Sequence, residues 1–509
     1  MQGSKITTKM VEQFLTEDLG IESRTSNPGH SQRGGPPVAY DRLISTLQGV
    51  EAVKAVLEAT AESETSYIAV VENKIVRKPL MKAVEDTKNA AQAIADKKFH
   101  LAMSLRDSEF EEQYKSFQIT TNVIVPEADK LPARDRMRIG FINVGAPAGG
   151  MNAAVRAATA YCLRQGHTPV AIYNGFTGFV RHHADKPLGS VRELTWFEVD
   201  EWAAYGGSQI GTNRHLPGDI DVGMETVANL IEKYRFDALM LVGGFEAFVA
   251  LSQLRKARDE FPSLCIPLIL LPAGISNNIP GTEWSIGSDT ALNNLVTYCD
   301  TIQQSASSSR RRVFVVETQG GRCGYLATMG GLAVGAMAVY TPEEGMHLDM
   351  LFSDIKHLTH YFSKEHGETR GGRIVLINEK ASSVYNAEMI SHIIEDEAHG
   401  RFSSRFATPG HFQQGNRPSG LDRCRAVRLA IKCIEHLESY GHCAHNKVKV
   451  DPVSAAVIGI QGSGVVFTPV QTLEATDTNW KDRCSKSVPW MAYKRVVDVL
   501  GGRPEYPPR

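Results

Sequence analysis

Several arginines of this chain stand where a phosphorylated ligand could be bound. Arg214 lies in GTNRHLPG, Arg310 to Arg312 precede an apolar run, Arg405 and His411 flank FATPG, and Arg483 lies near the C-terminus. A guanidinium group matches a phosphate with two parallel hydrogen bonds. Any single arginine is more often a solvated surface charge. Several of them at the ends of predicted strands suggest a ligand with two phosphate groups, such as a sugar bisphosphate.

A glycine-rich turn follows the first apolar run of the larger part of the chain. Residues 145–150 read GAPAGG and open a helical pattern, so their backbone amides could face an anion at the helix start. The turn is neither GxGxxG nor GxxxxGK[ST]. A generic turn between a strand and a helix is an equally good interpretation.

Two further segments at predicted strand ends lack the carboxylates that phosphoryl transfer needs. A kinase would place an aspartate beside Gly243-Gly244 to hold magnesium, but Phe245 stands there and Glu246 is the nearest carboxylate. The run Ser276-Asn277-Asn278 offers hydroxyl and amide groups but no general base. A tight turn packed on an aromatic ring and an Asn-rich turn are the alternatives.

The composition of the 509-residue chain is that of an ordinary globular protein. Its 55 basic and 57 acidic side chains give a net charge of −2, which argues against binding nucleic acid through bulk charge. Collagen, coiled coil and global disorder do not fit a hydrophobic content of 42%. We find neither a run of 18 apolar residues nor the apolar core of a signal peptide, so we expect no membrane partner and a cytoplasmic location.

The eight cysteines indicate a reducing compartment. No two of them have CxxC spacing, and a chain of this size does not need disulfides to fold. The segment 433–445 brings cysteines and histidines together, which raises the question of zinc. Its spacing fits no standard zinc site, and a solvated helix end followed by a loop is the interpretation we favour.

Strands and helices alternate over most of the chain after residue 137. The predicted strands are 138–145, 168–175, 237–244, 267–274, 311–318 and 373–379, and the predicted helices include 152–166, 225–236 and 245–261. Apolar strands alternating with helices predict an α/β fold with doubly wound parallel sheets. Ligands of such sheets bind at the carboxyl ends of the strands, where the arginines and glycine-rich segments stand.

An internal repeat predicts a duplicated domain. GHSQRGGPPVAYDR at 29–42 recurs as GHFQQGNRPSGLDR at 410–423, with seven of fourteen positions identical, and both copies run into a helical pattern. The second copy has about 270 residues of its own sequence upstream, and the first has 28. We therefore expect one whole unit preceded by the C-terminal end of another. A chance match of turn motifs would not explain the shared His and Asp-Arg positions in one register.

The stretch between the two units is hydrophilic. Residues 96–117 predict a helix, and residues 119–137, which contain prolines and charges, predict a linker. The expected organisation is a remnant at 1–114, a linker at 115–137 and a whole unit at 138–509.

A remnant without its sheet should expose apolar side chains to water. The candidates are Val11, Phe14, Leu15 and Leu19. We expect aggregation or loose packing of this segment, and proteolytic cleavage near residues 119–137.

Taken together, these motifs resemble ATP-dependent 6-phosphofructokinase of the duplicated fungal and animal type, from about Lys5 to the end of the chain. The motifs that are similar to the C-terminal half of those enzymes are NVGAPAGGMNAAVR, GTNRHLP, GISNNIPGTEWSIGSDTALN, RRVFVVETQGGRCGYLATMGGLA, NEK and GHFQQG. Residues 5–114, with GHSQRGGPPVAYDR and ENKIVRKPLMKAV, resemble the last third of the N-terminal half. The resemblance implies the phosphofructokinase fold, with sheets in two lobes, preceded by a truncated copy of the same unit.

In that family the N-terminal half transfers the γ-phosphate of ATP to the 1-hydroxyl of fructose 6-phosphate, a step of glycolysis. The old active site of the C-terminal half binds the activator fructose 2,6-bisphosphate. The resemblance assigns activator contacts to Arg214, Ser276, Asn277, Asn278, Ile279, Pro280, Arg312, Gln319, Gly320, Gly321, Glu379, Arg405, His411, Phe412, Gln413, Gln414 and Arg483.

The resemblance also implies an oligomer of phosphofructokinase subunits, alike or different. The family arginines that match Arg312 and Arg405 reach the activator site across a subunit interface. Gln319 departs from the pattern, because many relatives have methionine at this position.

Arg24, His30 and Arg33 match fructose 6-phosphate contacts of the catalytic half. The phosphate-binding glycine loop, the magnesium site and the catalytic base of that half would all lie upstream of residue 1. The resemblance therefore implies that magnesium and ATP serve the full-length family enzyme. We expect neither to bind productively to this chain, and we expect it to retain no catalytic residue and no metal ligand.

The hypothesis from the sequence is a regulatory half with little or no turnover of its own. A structural subunit without a ligand is one alternative. A dinucleotide-dependent oxidoreductase is another, but it lacks GxGxxG followed by an acidic residue about 20 positions later.

Overall fold

The computed structural model describes residues 5–71, 73–105, 108–181, 189–364, 372–415, 417–441 and 443–503. It divides the chain into two units, Met1–Val38 and Ala39–Arg509. The first unit contains helix α1 (Thr8–Gln13), one π-helical turn (Phe14–Asp18) and a 3-10 helix (Gly29–Arg33). The Thr7 side chain caps α1 by accepting a hydrogen bond from the Met10 amide.

Strands and helices alternate through the second unit as the sequence predicts. Its strands are β1 Ser66–Val71, β2 Lys74–Pro79, β3 Arg138–Val144, β4 Thr168–Ile172, β5 Val191–Glu193, β6 Ala238–Gly243, β7 Leu268–Pro272, β8 Arg312–Thr318, β9 Ala338–Tyr340, β10 Arg373–Asn378, β11 Ser403–Ala407, β12 Ala455–Gln461, β13 Gly464–Pro469, β14 Thr478–Asn479 and β15 Cys484–Ser485.

The helices of this unit cover the sheets and connect their strands. They are α2 Ala39–Glu58, α3 Leu80–Ala95, α4 Phe99–Ser104, α5 Ser108–Thr121, α6 Met151–Gln165, α7 Gly175–Val180, α8 Trp196–Val199, α9 Met224–Lys233, α10 Phe245–Lys256, α11 Ser288–Ser309, α12 Tyr325–Val334, α13 Leu348–Lys364, α14 Ala387–Glu397, α15 Gly420–Glu438, α16 His445–Val450, α17 Val470–Thr476 and α18 Met491–Leu500.

The larger sheet has seven strands in the order β13-β12-β7-β6-β3-β4-β5. Its five inner strands are parallel, while β13 and β5 pair antiparallel at the two edges. Every residue of β6 is buried, which is why this strand reads as an unbroken apolar run. The predicted doubly wound sheet is confirmed, and the two antiparallel edge strands are an addition to it.

A second sheet forms the smaller lobe. Its four strands follow the order β11-β8-β10-β9 and are all parallel. Helices α11 and α12 pack on one core of this lobe, and α13 and α14 contribute to another. The predicted two-lobed α/β architecture is therefore confirmed.

The internal repeat extends beyond the fourteen matched positions. Gly29–Arg33 and Gly410–Gln414 are both 3-10 helices, and the preceding prolines have nearly the same backbone angles, φ −63° and ψ −22° at Pro28 and φ −64° and ψ −23° at Pro409. After the motif, both copies continue with a long helix and later with an antiparallel hairpin and a further helix; in the second copy, α16 and a 3-10 turn stand between the long helix and the hairpin.

The two hairpins end in the same way. Each second strand closes on a proline, Pro79 or Pro469, and a helix begins at the next residue. Proline suits this place, because it has no amide hydrogen to donate and the first turn of a helix does not need one. The hairpin tips meet where Asn73 Nδ2 donates to the Gly462 carbonyl at 2.5 Å.

Residues 96–137, predicted as a helix and a linker, differ from that prediction. The single helix predicted at 96–117 is divided into α4 and α5, and residues 106–107 between them lie outside the described ranges. Helix α5 runs through the expected boundary between residues 114 and 115. Its Ser116 and Thr120 are buried because the helix packs against α6 and α15. The expected linker thus begins within a packed helix.

Exposure of the first unit largely follows expectation. Val11 is 45% exposed, and Phe14 and Leu19 are each 54% exposed, whereas Leu15 is half-buried. Among the helices that the structure describes, none is long and apolar enough to span a membrane. All eight cysteines are free thiols, and six of them are buried.

Candidate functional site

The predicted contact residues follow the carboxyl ends of four parallel strands. Residues 276–280 follow β7, residues 319–321 follow β8, Glu379 follows β10, and residues 411–414 follow β11. Cys323, two residues beyond the second segment, approaches the first segment, with its Sγ 4.0 Å from the Asn277 carbonyl oxygen. The strand ends of both lobes therefore contribute to one candidate site.

In the smaller lobe, hydrogen bonds join the loops of the site. The amide of Gln319 donates to Gln413 Oε1 at 3.1 Å, and the amide of Gly321 donates to Glu379 Oε1 at 2.9 Å. Gln413 is fully buried, so its side chain holds the loop, while Glu379 is exposed. Gly320 has φ +134°, a backbone conformation that only glycine adopts without strain.

In the larger lobe, two predicted contacts far apart in sequence come together. Asn278 Nδ2 donates to the Arg483 carbonyl at 2.8 Å, and the amide of Ser485 donates to the Asn278 carbonyl at 3.0 Å. Arg483 lies in the turn between β14 and β15. The guanidinium group of Arg483 forms an ion pair of 3.0 Å with Glu246.

The Asn277 side chain is fully engaged within its own turn. Its Oδ1 accepts from the Ser285 amide at 2.6 Å and from Ser285 Oγ at 3.0 Å, and its Nδ2 donates to the Glu283 carbonyl at 2.8 Å. Ile279 and Pro280 are buried as well. Of these consecutive residues, only Ser276 and Asn278 have partly exposed side chains, so the others support the loop or offer backbone groups.

Arg214 is held beside the first strand of the larger sheet. The preceding Asn213 forms a bridge with Val144, and its carbonyl accepts from the Gly145 amide at 2.7 Å. The Arg214 side chain is exposed, and no hydrogen bond or ion pair joins it to another described residue. It is therefore available to an anionic ligand.

His411 and Gln414 complete the smaller-lobe loop with partly or fully exposed side chains. The Phe412 ring is 47% exposed and lies 6.1 Å from the Tyr298 ring. An aromatic edge beside polar groups is suited to the apolar face of a sugar.

Arg312 and Arg405 do not join these residues within the chain. Arg312 is the first residue of β8 and Gln319 follows its last, a separation of roughly 20 Å at the usual rise per residue. Arg312 Nε donates to Ser403 Oγ at 3.1 Å, and Arg405 lies 3.6 Å from Glu395. Within this chain, neither guanidinium group joins the other predicted contacts.

The three contacts predicted in the remnant all lie in the first unit. Arg24 pairs with Glu22 at 2.9 Å, with both side chains more than 80% exposed. His30 and Arg33 lie on the exposed 3-10 helix Gly29–Arg33. Within this unit they have the solvent access that a ligand contact needs.

The end of β6 does not fit a magnesium ion. Phe245 is 4% exposed and packs on Phe248 and Trp480, with ring centroids 5.7 and 6.0 Å away. Glu246 is already paired with Arg483. Over the described ranges we find no group of three or more side chains that could ligate a metal.

The glycine turn after β3 does not fit a nucleotide phosphate either. Gly149 and Gly150 are buried, and the Ala148 amide is directed at Met151 Sδ, 3.4 Å away. A Cβ placed on Gly145 would lie 3.1 Å from Glu246 Oε2, so a carboxylate borders the turn. Of the two interpretations of GAPAGG, the generic turn between strand and helix agrees with the structure.

Sequence reasoning missed a buried acidic pair behind the site loops. Thr290 donates to Asp422 Oδ2 from its amide at 2.7 Å and from its hydroxyl at 2.6 Å, and Ser419 Oγ donates to Asp289 Oδ2 at 2.6 Å. Burial and then the neighbouring Asp289 raise the pKa of Asp422 to about 6. The signal was present, because Asp422 is one of the seven identities in the repeat.

The Cys and His side chains of 433–445 point to different surroundings. Cys433 is buried in the core of the larger lobe. His436 stacks on Phe467 at 4.4 Å, and its Nε2 lies 3.1 Å from the Val453 carbonyl oxygen. His442 lies outside the described residues. Cys433 and His436 thus take part in packing, while Cys443 is partly exposed and His445 is exposed at the start of α16.

Comparison with known proteins places this architecture in a family. The family profile for phosphofructokinase matches residues 1–56 and 138–437. The chain is 54% identical over 505 residues to ATP-dependent 6-phosphofructokinase from Aspergillus fumigatus, covering 98% of this chain and 62% of the relative.

Two solved structures superpose closely. Phosphofructokinase from Saccharomyces cerevisiae has a TM-score of 0.93 and 46% identity, over 98% of this chain and 66% of that one. Pichia pastoris phosphofructokinase in the T-state has a TM-score of 0.92 and 46% identity, over 99% and 56%. The chain thus spans less than two thirds of the length of these relatives. By its sequence and its fold, the chain belongs to the phosphofructokinase family.

Proposed function

We propose that residues 138–503 form a regulatory site for fructose 2,6-bisphosphate and that this site does not transfer phosphate. The supporting observation is a contrast within the site. Arg214, Arg483 and exposed loop groups remain as anchors for phosphate, whereas Phe245 and Asn277 stand in the places of the missing carboxylates and are used in packing and in a turn. A site of this kind binds phosphate groups without activating them.

The names of the relatives support the wider setting of this proposal. The Aspergillus fumigatus relative is an ATP-dependent 6-phosphofructokinase, which suggests that this chain serves the same glycolytic step. Magnesium and ATP would then act in the catalytic half of a phosphofructokinase subunit and not in the site described above. The allosteric and cytoplasmic character of the chain is part of the same proposal.

Phosphoryl transfer at this site would lack two of its usual supports. Loss of the general base alone costs about 10²–10⁴-fold in rate. Metal ions also have to neutralise the charge on the transferred group, and the end of β6 offers no ligand set for them. We therefore expect binding without turnover.

Oligomerisation belongs to the same proposal. Arg312 and Arg405 stand away from the other contacts of their own chain, and we assign them to the site of a neighbouring phosphofructokinase subunit. A beta subunit of the enzyme from Komagataella phaffii is 48% identical to this chain, which is in keeping with assembly from like or different subunits.

Calorimetry with fructose 2,6-bisphosphate tests the binding site. We expect heat from the purified chain, at least a tenfold loss of affinity in Arg214→Ala, and no change in Arg134→Ala, whose side chain is 84% exposed outside the site. No heat from the unaltered chain would favour a structural subunit without a ligand. In a coupled assay with fructose 6-phosphate and MgATP, robust turnover that needs residues of this site would contradict the absence of catalysis.

A further inference from the structure

A carboxylate stands inside the proposed site, at the place where Arg483 would meet a phosphate. Glu246 is the second residue of α10, and its Oε1 lies 3.0 Å from Arg483 Nη2. Its other oxygen borders the turn at Gly145. The Glu246 side chain is 19% exposed and that of Arg483 is 55% exposed, so solvent and ligands can reach the pair. We call this ion pair the latch.

The backbone of Arg483 cannot easily move out of the latch. Its carbonyl accepts from Asn278 Nδ2 at 2.8 Å, and its φ of +55° lies in the left-handed region. The guanidinium carbon lies 5.6 Å from the centroid of the Phe245 ring. The main chain and the Phe245 ring hold Arg483 in place. A ligand phosphate can therefore pair with the Arg483 guanidinium group only by displacing the Glu246 carboxylate.

We propose that Glu246 acts as a built-in substitute for a ligand phosphate, so that phosphate binding at Arg483 must open the latch. This inference rests on the proposed function, since it takes Arg483 to be a phosphate contact. Glu246 then has two effects. It weakens the affinity for the sugar bisphosphate, because a bond must be broken and a like charge stays nearby. It also repels a phosphate chain from the Gly145 turn.

A structural role for Glu246 makes a different prediction. An acidic residue in the first turn of a helix stabilises that helix through its dipole. If this were its only role, neutralising Glu246 would lower the thermal stability slightly and leave ligand affinity unchanged or reduced. If the latch exists, neutralising Glu246 increases the ligand affinity even where it lowers the thermal stability. Affinity and stability then change in opposite directions.

A double-mutant cycle measured by calorimetry separates these roles. We expect Glu246→Gln to bind fructose 2,6-bisphosphate about three to ten times more tightly, as expected when a partly exposed ion pair no longer competes. The gain should vanish in the Arg483→Gln background. Glu225→Gln is the matched control, because Glu225 lies in the first turn of α9 away from the site.

Inorganic pyrophosphate supplies a readout that does not depend on the sugar. We expect it to raise the melting temperature of Glu246→Gln more than that of the unaltered chain, again only when Arg483 is present. If fructose 2,6-bisphosphate gives no heat but pyrophosphate shows this pattern, the proposed ligand is wrong and the latch stands. If neither probe shows a gain that requires Arg483, the latch is overturned.

Discussion

Two buried carboxylates, Asp289 and Asp422, stand behind the site loops where α11 and α15 begin. Their hydrogen bonds to Thr290 and Ser419 tie these two helix starts together. Burial raises the pKa of both groups, and that of Asp422 reaches about 6. Residues that shape the loops are thus themselves sensitive to pH near neutrality.

The Asp422→Asn variant tests whether the buried charge of Asp422 lowers the stability of the folded chain at neutral pH. Because the pKa of Asp422 in the folded chain is raised above its unfolded value, its stabilising contribution is full below about pH 4 and is lost as the pH rises through about 6. At pH 7.5 the charged form costs up to roughly 3 kcal/mol. Asparagine keeps the acceptor for Thr290 and carries no charge. The difference between the melting temperature of the variant and that of the unaltered chain should therefore increase as the pH rises from 5 to 7.5. Asp221→Asn, at an exposed acid, should show no such trend.

At the scale of elements, one buried arginine joins three parts of the larger lobe. The Arg428 side chain is 2% exposed, and its Nε lies 2.5 Å from Glu112 Oε2 on α5. Its Nη1 lies 3.4 Å from Glu109, and its Nη2 donates to the Ser463 carbonyl in the hairpin turn at 2.8 Å. These contacts dock helix α5, whose last residues 115–121 fall within the expected linker.

Replacing Arg428 by alanine should detach α5. The change leaves Glu109 and Glu112 facing a buried surface without their main partner, and we expect a loss of about 2–4 kcal/mol in the free energy of unfolding. Limited proteolysis should then cut within residues 105–121, and thermal unfolding should shift downward. Lys432→Ala is the control, since Lys432 approaches the same Glu112 at 3.2 Å from a more exposed position. Equal resistance to protease in both variants would contradict the docking role.

At the scale of the whole molecule, comparison of the two copies of the repeat shows that helix α2 exposes an apolar face. In the complete unit, Cys433, Ile434 and Leu437 of α15 are buried in the core that α6 shares. The matching positions 381 residues earlier are Ala52, Val53 and Val56, where Val53 is 60% and Val56 is 75% exposed. The described part of the chain therefore presents to water an apolar helix face of the kind that its own duplicate buries.

The variant Val53→Lys/Val56→Lys should reduce self-association of the chain. Removing exposed apolar surface lowers the drive for contacts between copies without disturbing the core, so the melting temperature should stay within about 1 °C. Light scattering across a concentration series measures the effect. Ile220→Lys, at a fully exposed isoleucine elsewhere, should leave self-association unchanged. A fall in melting temperature with no change in scattering would argue against this face as the cause.

The sequence alone determined the features that depend on local period and residue type. Buried strands such as β6 read as apolar runs, the repeat at Gly29 and Gly410 predicted a duplication, and Phe245 and Ser276 showed that no aspartate stands at these two strand ends. Short edge strands such as β5 escaped prediction, since three residues carry too little periodicity and are defined by their partner strand.

Only the tertiary structure decided how the polar side chains of the site are used. Asn277 looked like a ligand contact in the sequence, yet its amide is consumed by Ser285 and Glu283. The pairing of Glu246 with Arg483 joins a helix start to a distant hairpin. Residue type limits which partners a polar group can take. Which partner it does take depends on distances that arise only when remote segments fold against each other.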